Sequence, residues 1–318
     1  MQNDRPPAFV VIGEALIDLT PPAEDGSCIA RPGGSPMNVA IGLSRLGQPT
    51  AFSGRLSADP FGTVLRGHLE RSAVQLQYAV AASDPSTIAL VELAGGQARY
   101  QFMLGADFQW QARELAFLPG GARGVHFGSL ASWLPPGDAA IAAAVGRVRR
   151  EDSVLISYDP NVRPSLQPDA AAARQQVEES VSLAHVVKAS LEDLYWLYGE
   201  DVSADAVAGR WLDLGARLVV ITAGADGATG WMAGLLPVSR PQFPAEVVDT
   251  VGAGDAFTSG LLDGLARRGL LAPARLAAVS DPATLAAVID DASRVAGVTC
   301  SRPGANPPSR AELAELTG

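Results

Sequence analysis

Short apolar runs rich in β-branched residues alternate along the chain with longer alanine-rich segments. The runs are "AFVVIGEA" at 8–15, "GVHFGSL" at 124–130, "SVLISYDP" at 153–160, "HVVKAS" at 185–190 and "RLVVITAG" at 217–224. Such runs are typical of buried parallel strands. The segments between them, at 138–150, 169–183 and 203–215, are typical of helices. This alternation predicts a doubly wound α/β fold, a mostly parallel sheet flanked by helices, with ligands at the carboxyl ends of the strands.

Two segments, 19–32 and 86–108, depart from this alternation. In the second, "STIALVELAGGQARYQFML" has two strand-like runs on either side of Gly95-Gly96, as in a β-hairpin. We interpret both segments as a small β-sheet lid inserted into one domain that spans 1–318, because no linker divides the chain. Such a lid could cover a site and exclude water, whereas an ordinary edge hairpin is the alternative.

Charge and cysteine content exclude several classes of protein. The chain has 24 Lys and Arg against 34 Asp and Glu, a net charge of −10, which disfavours nucleic acid as a partner. No apolar stretch is long enough for a membrane span, and the N-terminus lacks the features of a signal peptide, so a soluble protein is expected. Cys28 and Cys300 have no metal-site spacing, and we expect two buried thiols in a reducing cytoplasm.

The stretch "DTVGAGDAF" at 249–257 places Gly252, Ala253 and Gly254 directly before a segment with helical apolar spacing. Backbone N–H groups at a helix N-terminus lack partners within the helix, and the helix dipole is positive there, so an anion-binding pocket is predicted. Asp255 could simply cap that helix. Beside an anion pocket it also suits phosphoryl transfer, in which the amides hold negative charge while the carboxylate accepts the proton of an attacking hydroxyl.

A second pair of glycines, Gly33 and Gly34, precedes another helical segment, and Asn38 lies in its first turns. Exposed amides and an amide side chain suit a neutral polyol, whose hydroxyls need both donors and acceptors. Asp18 follows the first strand and could accept hydrogen bonds from two adjacent hydroxyls. Taken alone, a Gly-Gly turn before a helix is ordinary.

The motifs "GGSPMN" and "DTVGAGDAF", in this order and separation, resemble those of the ribokinase-like carbohydrate kinases, also called the phosphofructokinase-B family. Partial matches cover nearly the whole chain: "GEALIDL", "SADPFG", "DPNVRP", "KASLEDL", "ITAGADG" and "CSRPGA". The resemblance implies a ribokinase-like fold with a β-sheet lid and ATP-dependent phosphorylation of a sugar hydroxyl, with magnesium. It also implies that Asp255 is the catalytic base, that Gly252, Ala253 and Gly254 form an anion hole, and that the sugar is held by Asp18, Gly33, Gly34 and Asn38.

Within that resemblance, two further motifs are assigned to the nucleotide. In "ITAGADG", Thr222, Gly224 and Gly227 follow a strand and would face the phosphates, although a plain strand-to-turn exit is the alternative. In "DDASRVAGVTCSRPGA", Ser293 stands where the family commonly has an Asn beside the adenine. The replacement weakens the expectation of that contact.

Metal ions are implied at two places. "VVKASLED" puts Lys188 and Ser190 at a strand end beside the nucleotide, and Asp193 follows where the family often has Asn-x-x-Glu. With this replacement, we expect Asp193 to contact magnesium only through water. Asp249, the Val251 carbonyl and carbonyls around "TCSRPGA" resemble the family's monovalent-cation site, where potassium would stiffen the anion-hole loop. A turn cap is the alternative for Asp249.

Two strings bear on the substrate. "DPNVRP" is similar to a string in fructokinases and 2-keto-3-deoxygluconate kinases, and its Arg163 is assigned to the substrate site, where a guanidinium could steady phosphate oxygens. A surface ion pair is the alternative for this residue. In the lid, Met103 and Leu104 replace a polar pair that includes an Arg, which argues against a sugar acid. Asp107, Gln109 and Trp110 could line the mouth of the site, with Trp110 better placed in the lid core.

Fructose is therefore the expected substrate and fructose 6-phosphate the expected product. Ribose, another hexose or pentose, and a nucleoside are the alternatives. A catalytically silent sugar-binding regulator on the same fold is disfavoured because Asp255 and the glycine motifs are intact. A nicotinamide oxidoreductase is disfavoured because no GxGxxG turn follows the first strand. Exposed edges of the lid could pair with the lid of a second copy, which predicts a homodimer.

Overall fold

A computed structural model describes residues 6–20, 26–94, 97–115 and 121–316. The strands are β1 (Phe9–Ile12), β2 (Leu16–Leu19), β3 (Ala30–Gly33), β4 (Thr50–Ser53), β5 (Arg55–Ser57), β6 (Val80–Ala82), β7 (Ile88–Ala94), β8 (Gln97–Met103), β9 (Gly124–Gly128), β10 (Leu155–Asp159), β11 (Val186–Ser190), β12 (Leu218–Thr222), β13 (Ala228–Met232) and β14 (Val238–Arg240). The helices are α1 (Ser35–Arg45), α2 (Pro60–Arg71), α3 (Asp138–Glu151), α4 (Ala170–Leu183), α5 (Leu191–Tyr198), α6 (Ala204–Asp213), α7 (Ala253–Arg267), α8 (Pro273–Ala277), α9 (Pro282–Cys300) and α10 (Arg310–Glu315).

An eight-stranded sheet in the order β14-β13-β12-β11-β10-β9-β1-β4 forms the centre of the fold. The pairs from β12 to β4 are parallel, whereas β13 and β14 continue the sheet in antiparallel pairs. Each of the predicted apolar runs contains one of the parallel strands β1 and β9–β12, so the predicted α/β class is confirmed. Sequence patterns missed the edge strands β4 and β14 and also β13, which is next to β14.

Successive residues of β1 point to opposite faces of this sheet, as strand geometry requires. Phe9 and Val11 pack into an apolar core with α1, α7 and α9. Val10 and Ile12 pack into a second core with α3, α4 and α6. Because both faces are covered by helices, the sheet interior is buried and only the strand ends and edges can meet a ligand.

The lid is a separate four-stranded sheet in the order β3-β2-β7-β8. β2 pairs antiparallel with β3 and parallel with β7, and β7 and β8 form the expected hairpin. The sheet begins at Leu16, earlier than the predicted 19–32, and ends at Met103 within the predicted 86–108. The predicted Gly95-Gly96 turn lies outside the described residues.

The expectation of two buried thiols is wrong for one of them. Cys300 is buried at the end of α9, but Cys28 is exposed in the connection that leads into β3 of the lid. Its neighbours on this connection, residues 26–31, are exposed as well, so no core forms there. Within the described ranges, no helix combines the length and the apolar character needed to cross a bilayer.

Helix α7 is held closely between α1 and α9 because glycines stand at both crossings. A Cβ atom added to Gly42 of α1 would lie 2.4 Å from Oγ of Ser259 in α7. A Cβ atom added to Gly260 would lie 2.8 Å from Cα of Ala292 in α9. The lack of side chains at these crossings fixes the position of α7, whose first turn carries Asp255.

The far half of α7 is fixed by a buried carboxylate, Asp263. Its Oδ1 accepts hydrogen bonds from Gln48 Nε2 at 2.9 Å and from an Arg310 nitrogen at 2.5 Å. Its Oδ2 accepts a hydrogen bond from Arg267 Nε at 3.0 Å. The Asp263 side chain is 2% exposed, so these donors replace water that burial has removed.

We predict that Asp263→Asn lowers the free energy of unfolding by about 2 kcal/mol, because it leaves two guanidinium groups without their buried anion. Urea denaturation measures this loss. The matched control is Asp290→Asn, whose side chain is 43% exposed and pairs with Arg240. We expect the control to change stability by less than about 0.5 kcal/mol. Equal effects of the two changes would contradict the structural role given to Asp263.

Candidate active site

Two cavities lie side by side at the carboxyl ends of the parallel strands. The first, of about 330 Å³, is lined by residues that follow β1, β9 and β10 and by the first turns of α1 and α7. The second, of about 460 Å³, lies beyond the ends of β11 and β12. Residues common to both linings are Asn161, Lys188, Thr250, Ala253 and Gly254. The N-terminus of α7 therefore stands at the junction of the two cavities.

Asp255 lies in the first turn of α7 but does not cap that helix, whose N-cap residue is Gly252, a residue without a side chain that could accept a cap hydrogen bond. Instead, Ser35 Oγ donates to its Oδ1 at 2.7 Å and Asn38 Nδ2 donates to its Oδ2 at 2.8 Å. Removal of water by the surrounding protein raises the pKa of Asp255 above its ordinary value, although both hydrogen bonds act to lower it. The side chain is thus aimed at α1 across the first cavity.

The three residues predicted to form an anion pocket lie at the N-terminus of α7, and they differ in whether their backbone N–H groups have an acceptor. Gly252 has a left-handed backbone with φ of 76°, and an added Cβ would lie 2.6 Å from Cβ of Ala305, so only glycine fits. The backbone N–H groups of Gly252 and Gly254 donate no hydrogen bond to any of the described residues. The Ala253 N–H, by contrast, donates to the Thr250 carbonyl at 3.2 Å. Two of the three predicted amides are therefore free to bind an anion.

Lys188 brings a positive charge to the same junction. Its Nζ lies 3.0 Å from Oδ2 of Asp159, and a Cβ added to Gly254 would lie 3.1 Å from that nitrogen. Burial alone would lower the pKa of Lys188, but the carboxylates of Asp159 and Asp193 outweigh it and raise the pKa above its ordinary value. The side chain is therefore a buried ammonium beside the free amides of α7.

Most residues assigned to the sugar line the first cavity: Asp18, Gly34, Asn38 and Arg163. Gly33 does not; it packs behind Asp18, where an added Cβ would lie 2.0 Å from the Asp18 carboxylate. Burial raises the pKa of Asp18 to about 6, although the Arg163 charge acts to lower it. One nitrogen of the Arg163 guanidinium donates to the carbonyl oxygens of Asn161 and Val162, which keeps this group at the cavity rather than in a surface ion pair.

The residues assigned to the nucleotide line the second cavity: Lys188, Ser190, Thr222, Gly224, Gly227 and Ser293. Ser293 Oγ accepts the Phe243 N–H at 2.9 Å, so this side chain holds the loop that borders the cavity. Gly227 has φ of 90° and lies so close to the Arg240 carbonyl that an added Cβ would be 2.1 Å from its oxygen. Both contacts shape the wall on which a nucleotide would rest.

Backbone donors occupy both carboxylates that sequence reasoning connected with metal ions. Asp193 accepts the Val162 N–H on Oδ1, and on Oδ2 it accepts the N–H and hydroxyl of Ser190 in a capping box of α5. Asp249 accepts the N–H groups of Val251 at 3.0 Å and Gly304 at 2.8 Å. Across the part of the chain that the structure describes, no group of three acidic, His or Cys side chains could hold a metal.

Sequence reasoning missed Ser35, Glu14 and Ser129, which all line the first cavity. Glu14 carried a signal, because an acid inside the apolar run "VVIGEAL" needs a reason to be there. Ser129 carried none that sequence could reveal. Asp107 is 1% exposed and does not line the first cavity, so its expected place at the mouth is wrong. Trp110 is 4% exposed in an apolar core, which is the place that the sequence favoured for it.

The chain is similar in sequence and in fold to proteins named fructokinases. A fructokinase of Rhizobium leguminosarum bv. trifolii is 37% identical over 275 residues, 85% of this chain and 83% of that protein. Among solved structures, fructokinase with bound ATP from Xylella fastidiosa has a TM-score of 0.87 at 26% identity and 97% coverage of each chain. Fructokinase from Vibrio cholerae O395, in its fructose, ADP and calcium ion bound form, has a TM-score of 0.82 at 28% identity and 98% coverage of each chain.

The model of the pfkB family carbohydrate kinases matches residues 7–312, nearly the whole chain. The four-stranded lid, the doubly wound sheet and the glycine-flanked acid at the start of α7 agree with this match. The chain belongs to the pfkB family of carbohydrate kinases.

Proposed function

We propose that this protein is an ATP-dependent fructokinase that transfers the γ-phosphoryl group of ATP to the 6-hydroxyl of fructose. The proposal rests on the meeting of the two cavities at Lys188 and Gly254, with Asp255 and the amide of Gly252 beside them in the first cavity. The sugar occupies the first cavity and the nucleotide the second, so that the hydroxyl and the terminal phosphate meet at their junction. Relatives that are named fructokinases support fructose as the acceptor.

The arrangement assigns a role to each group at the junction. Asp255 takes the proton of the attacking hydroxyl, whose oxygen bonds to the γ-phosphorus as the bond to the ADP oxygen breaks. The N–H groups of Gly252 and Gly254 and the Lys188 ammonium offset the negative charge on the phosphoryl oxygens. Ser35 and Asn38 orient the carboxylate of Asp255 without taking part in the transfer.

The character of the first cavity favours a neutral sugar. Three carboxyl groups line it, those of Glu14, Asp18 and Asp255, against the single guanidinium of Arg163 and the ammonium of Lys188 at the junction. The hydroxyls of a neutral sugar can donate to these carboxyl groups, whereas a sugar acid would bring a further negative charge among them. This balance supports the earlier argument from Met103 and Leu104.

We propose that magnesium binds to the protein together with the nucleotide. The described side chains provide no cage, which fits magnesium that arrives on the triphosphate and keeps most of its waters. Asp193 and the exposed Glu192 line the nucleotide cavity and would contact those waters. Bound magnesium would draw charge from the phosphate oxygens. A potassium ion beside Asp249 would further stiffen the loop that the Gly304 and Val251 amides already fasten.

The first test is phosphorylation itself, followed by ADP release with ATP and magnesium over fructose, ribose, glucose, 2-keto-3-deoxygluconate and adenosine. We expect fructose to give the highest kcat/KM. We expect Asp255→Asn to lower kcat by about 10²- to 10⁴-fold while fructose affinity by calorimetry stays near that of the wild type, since the base acts mainly in the transition state. Equal losses of binding and turnover would contradict the assignment of the base.

A second prediction concerns pH. The ionised form of Asp255 is the base, so activity falls as the pH drops through its pKa. Ser35→Ala removes a hydrogen bond that lowers this pKa, and the acidic limb of kcat/KM against pH should move to higher pH. At neutral pH we expect a loss of about three- to tenfold.

The matched control for this prediction is Ser259→Ala, in the same helix as Asp255, because the Ser259 hydroxyl donates to the Ala256 carbonyl and not to the carboxylate. Its acidic limb should coincide with that of the wild type. An unmoved limb in Ser35→Ala, or an equal displacement in both variants, would mean that Ser35 does not tune Asp255.

We also propose that the enzyme is a cytoplasmic homodimer joined through the lid. Ile29, Met103 and Leu104 of the lid are 60%, 52% and 47% exposed, and strands β3 and β8 form the edges of the lid sheet. Pairing with a second copy would cover these apolar side chains. Sedimentation should give a dimer at micromolar concentration for the wild type and a monomer for Met103→Asp with Leu104→Asp. A monomeric wild type would refute the proposal.

A further inference from the structure

A cluster of three polar side chains, those of Glu14, Ser129 and Asn161, lies in the wall of the first cavity and has no role in the proposed phosphoryl transfer. Glu14 follows β1, is 1% exposed and lines the cavity. Its Oε2 accepts the Ala131 N–H at 3.1 Å, and the nearby Ser129 side chain acts to lower the pKa of this carboxyl group. Asn161 Nδ2 donates to Ser129 Oγ at 3.0 Å. Side chains that follow β1, β9 and β10 are thus brought together in the wall of the first cavity, with Ser129 between Glu14 and Asn161.

Two residues of this cluster have a positive φ, a backbone conformation that L-residues seldom adopt. Ser129 has φ of 55° and Asn161 has φ of 41°, and both line the first cavity. Their N–H groups are fastened to Asp159, through its carbonyl at 2.9 Å and its Oδ1 at 3.2 Å. Unfavourable backbone of this kind persists where the surrounding structure enforces it, and it concentrates at functional sites. Here it turns two polar side chains toward Glu14.

A neighbouring acid shows what a purely structural carboxyl group looks like in this fold. Asp107 is also 1% exposed, and its Oδ1 accepts the Ala15 N–H at 3.2 Å, but it does not line the cavity. Burial raises the pKa of Glu14 and of Asp107 to about 7, and the Arg163 charge acts to lower that of Glu14. The two acids are alike in burial, and they differ in access to the cavity and in the charge that acts on each, which is that of Arg163 for Glu14 and that of Glu14 for Asp107.

On the basis of the proposed function, we infer that Glu14, positioned by Ser129 and Asn161, binds a sugar hydroxyl other than the one that is phosphorylated and so determines which neutral sugars are accepted. The hydroxyl that is phosphorylated binds to Asp255, whose hydrogen-bond donors lie on α1. The backbone donor to Glu14 lies instead on the segment after β9. A buried carboxyl group that loses its hydroxyl partner is left without water to replace it. The site therefore rejects a sugar that lacks that hydroxyl.

The test combines enzyme variants with altered sugars. The kcat/KM values for fructose, for its 1-deoxy, 3-deoxy and 4-deoxy analogues and for 2,5-anhydromannitol, which lacks the anomeric hydroxyl, are measured for the wild type, Glu14→Gln, Glu14→Ala and Asp107→Asn. We expect the wild type to lose about 100-fold or more on one analogue. Glu14→Ala should lose about 10- to 100-fold on fructose and much less on that analogue, with Glu14→Gln between. Asp107→Asn should keep the discrimination of the wild type even if its stability falls.

Several outcomes would overturn the inference. Equal losses on fructose and on every analogue in the Glu14 variants would mean that Glu14 supports the fold and not the sugar. Loss of discrimination in Asp107→Asn to the same degree would mean the same. If neither Glu14 variant folds, the wild type alone decides: less than about threefold loss on every analogue leaves no hydroxyl for Glu14 to hold. Absence of fructose turnover by the wild type would instead refute the proposed function itself.

Discussion

The hydrogen bonds from Ser35 and Asn38 to Asp255 are the contacts on which the active site depends. They join residues 220 and 217 positions apart in the chain, across the gap between α1 and α7. That gap has the right width only because Gly42 lets the two helices approach. The position of the Asp255 carboxylate, which we propose as the base, is therefore set by the packing of the apolar core beneath it. A change deep in this core would move the carboxylate without touching the cavity.

Electrostatics at the junction of the two cavities follows from the same packing. Several carboxyl groups gather near one another, and the protein keeps them there with one buried ammonium, one guanidinium and many backbone N–H groups. The carboxylates of Asp193 and Asp249 accept hydrogen bonds from backbone N–H groups of loops, and these bonds make the loops rigid. Asp255 and Asp18 face open space, and burial raises the pKa of each. The surroundings of each aspartate thus decide whether its carboxyl group holds a loop in place or faces a cavity.

Sequence patterns predicted the parts of the fold in which local signals and tertiary structure agree. Buried parallel strands are apolar throughout, so β1 and β9–β12 could be identified, whereas the edge strands β4 and β14 are short and carry no such run. The glycine motifs identified both helix N-termini at the site. Sequence could not reveal that the Ala253 N–H turns back to Thr250, or that Ser129 adopts a left-handed backbone, because tertiary contacts impose both. The metal assignments of Asp193 and Asp249 remain predictions.

The exposure of Cys28 has a practical consequence. The chain has two cysteines, and the other is buried at the end of α9 beside the nucleotide cavity. A thiol-reactive fluorophore would therefore attach first at the lid, with no engineered residue needed. The native protein thus carries its own reporter position next to β3, and a change in emission on addition of a sugar would reveal whether the surroundings of this strand change.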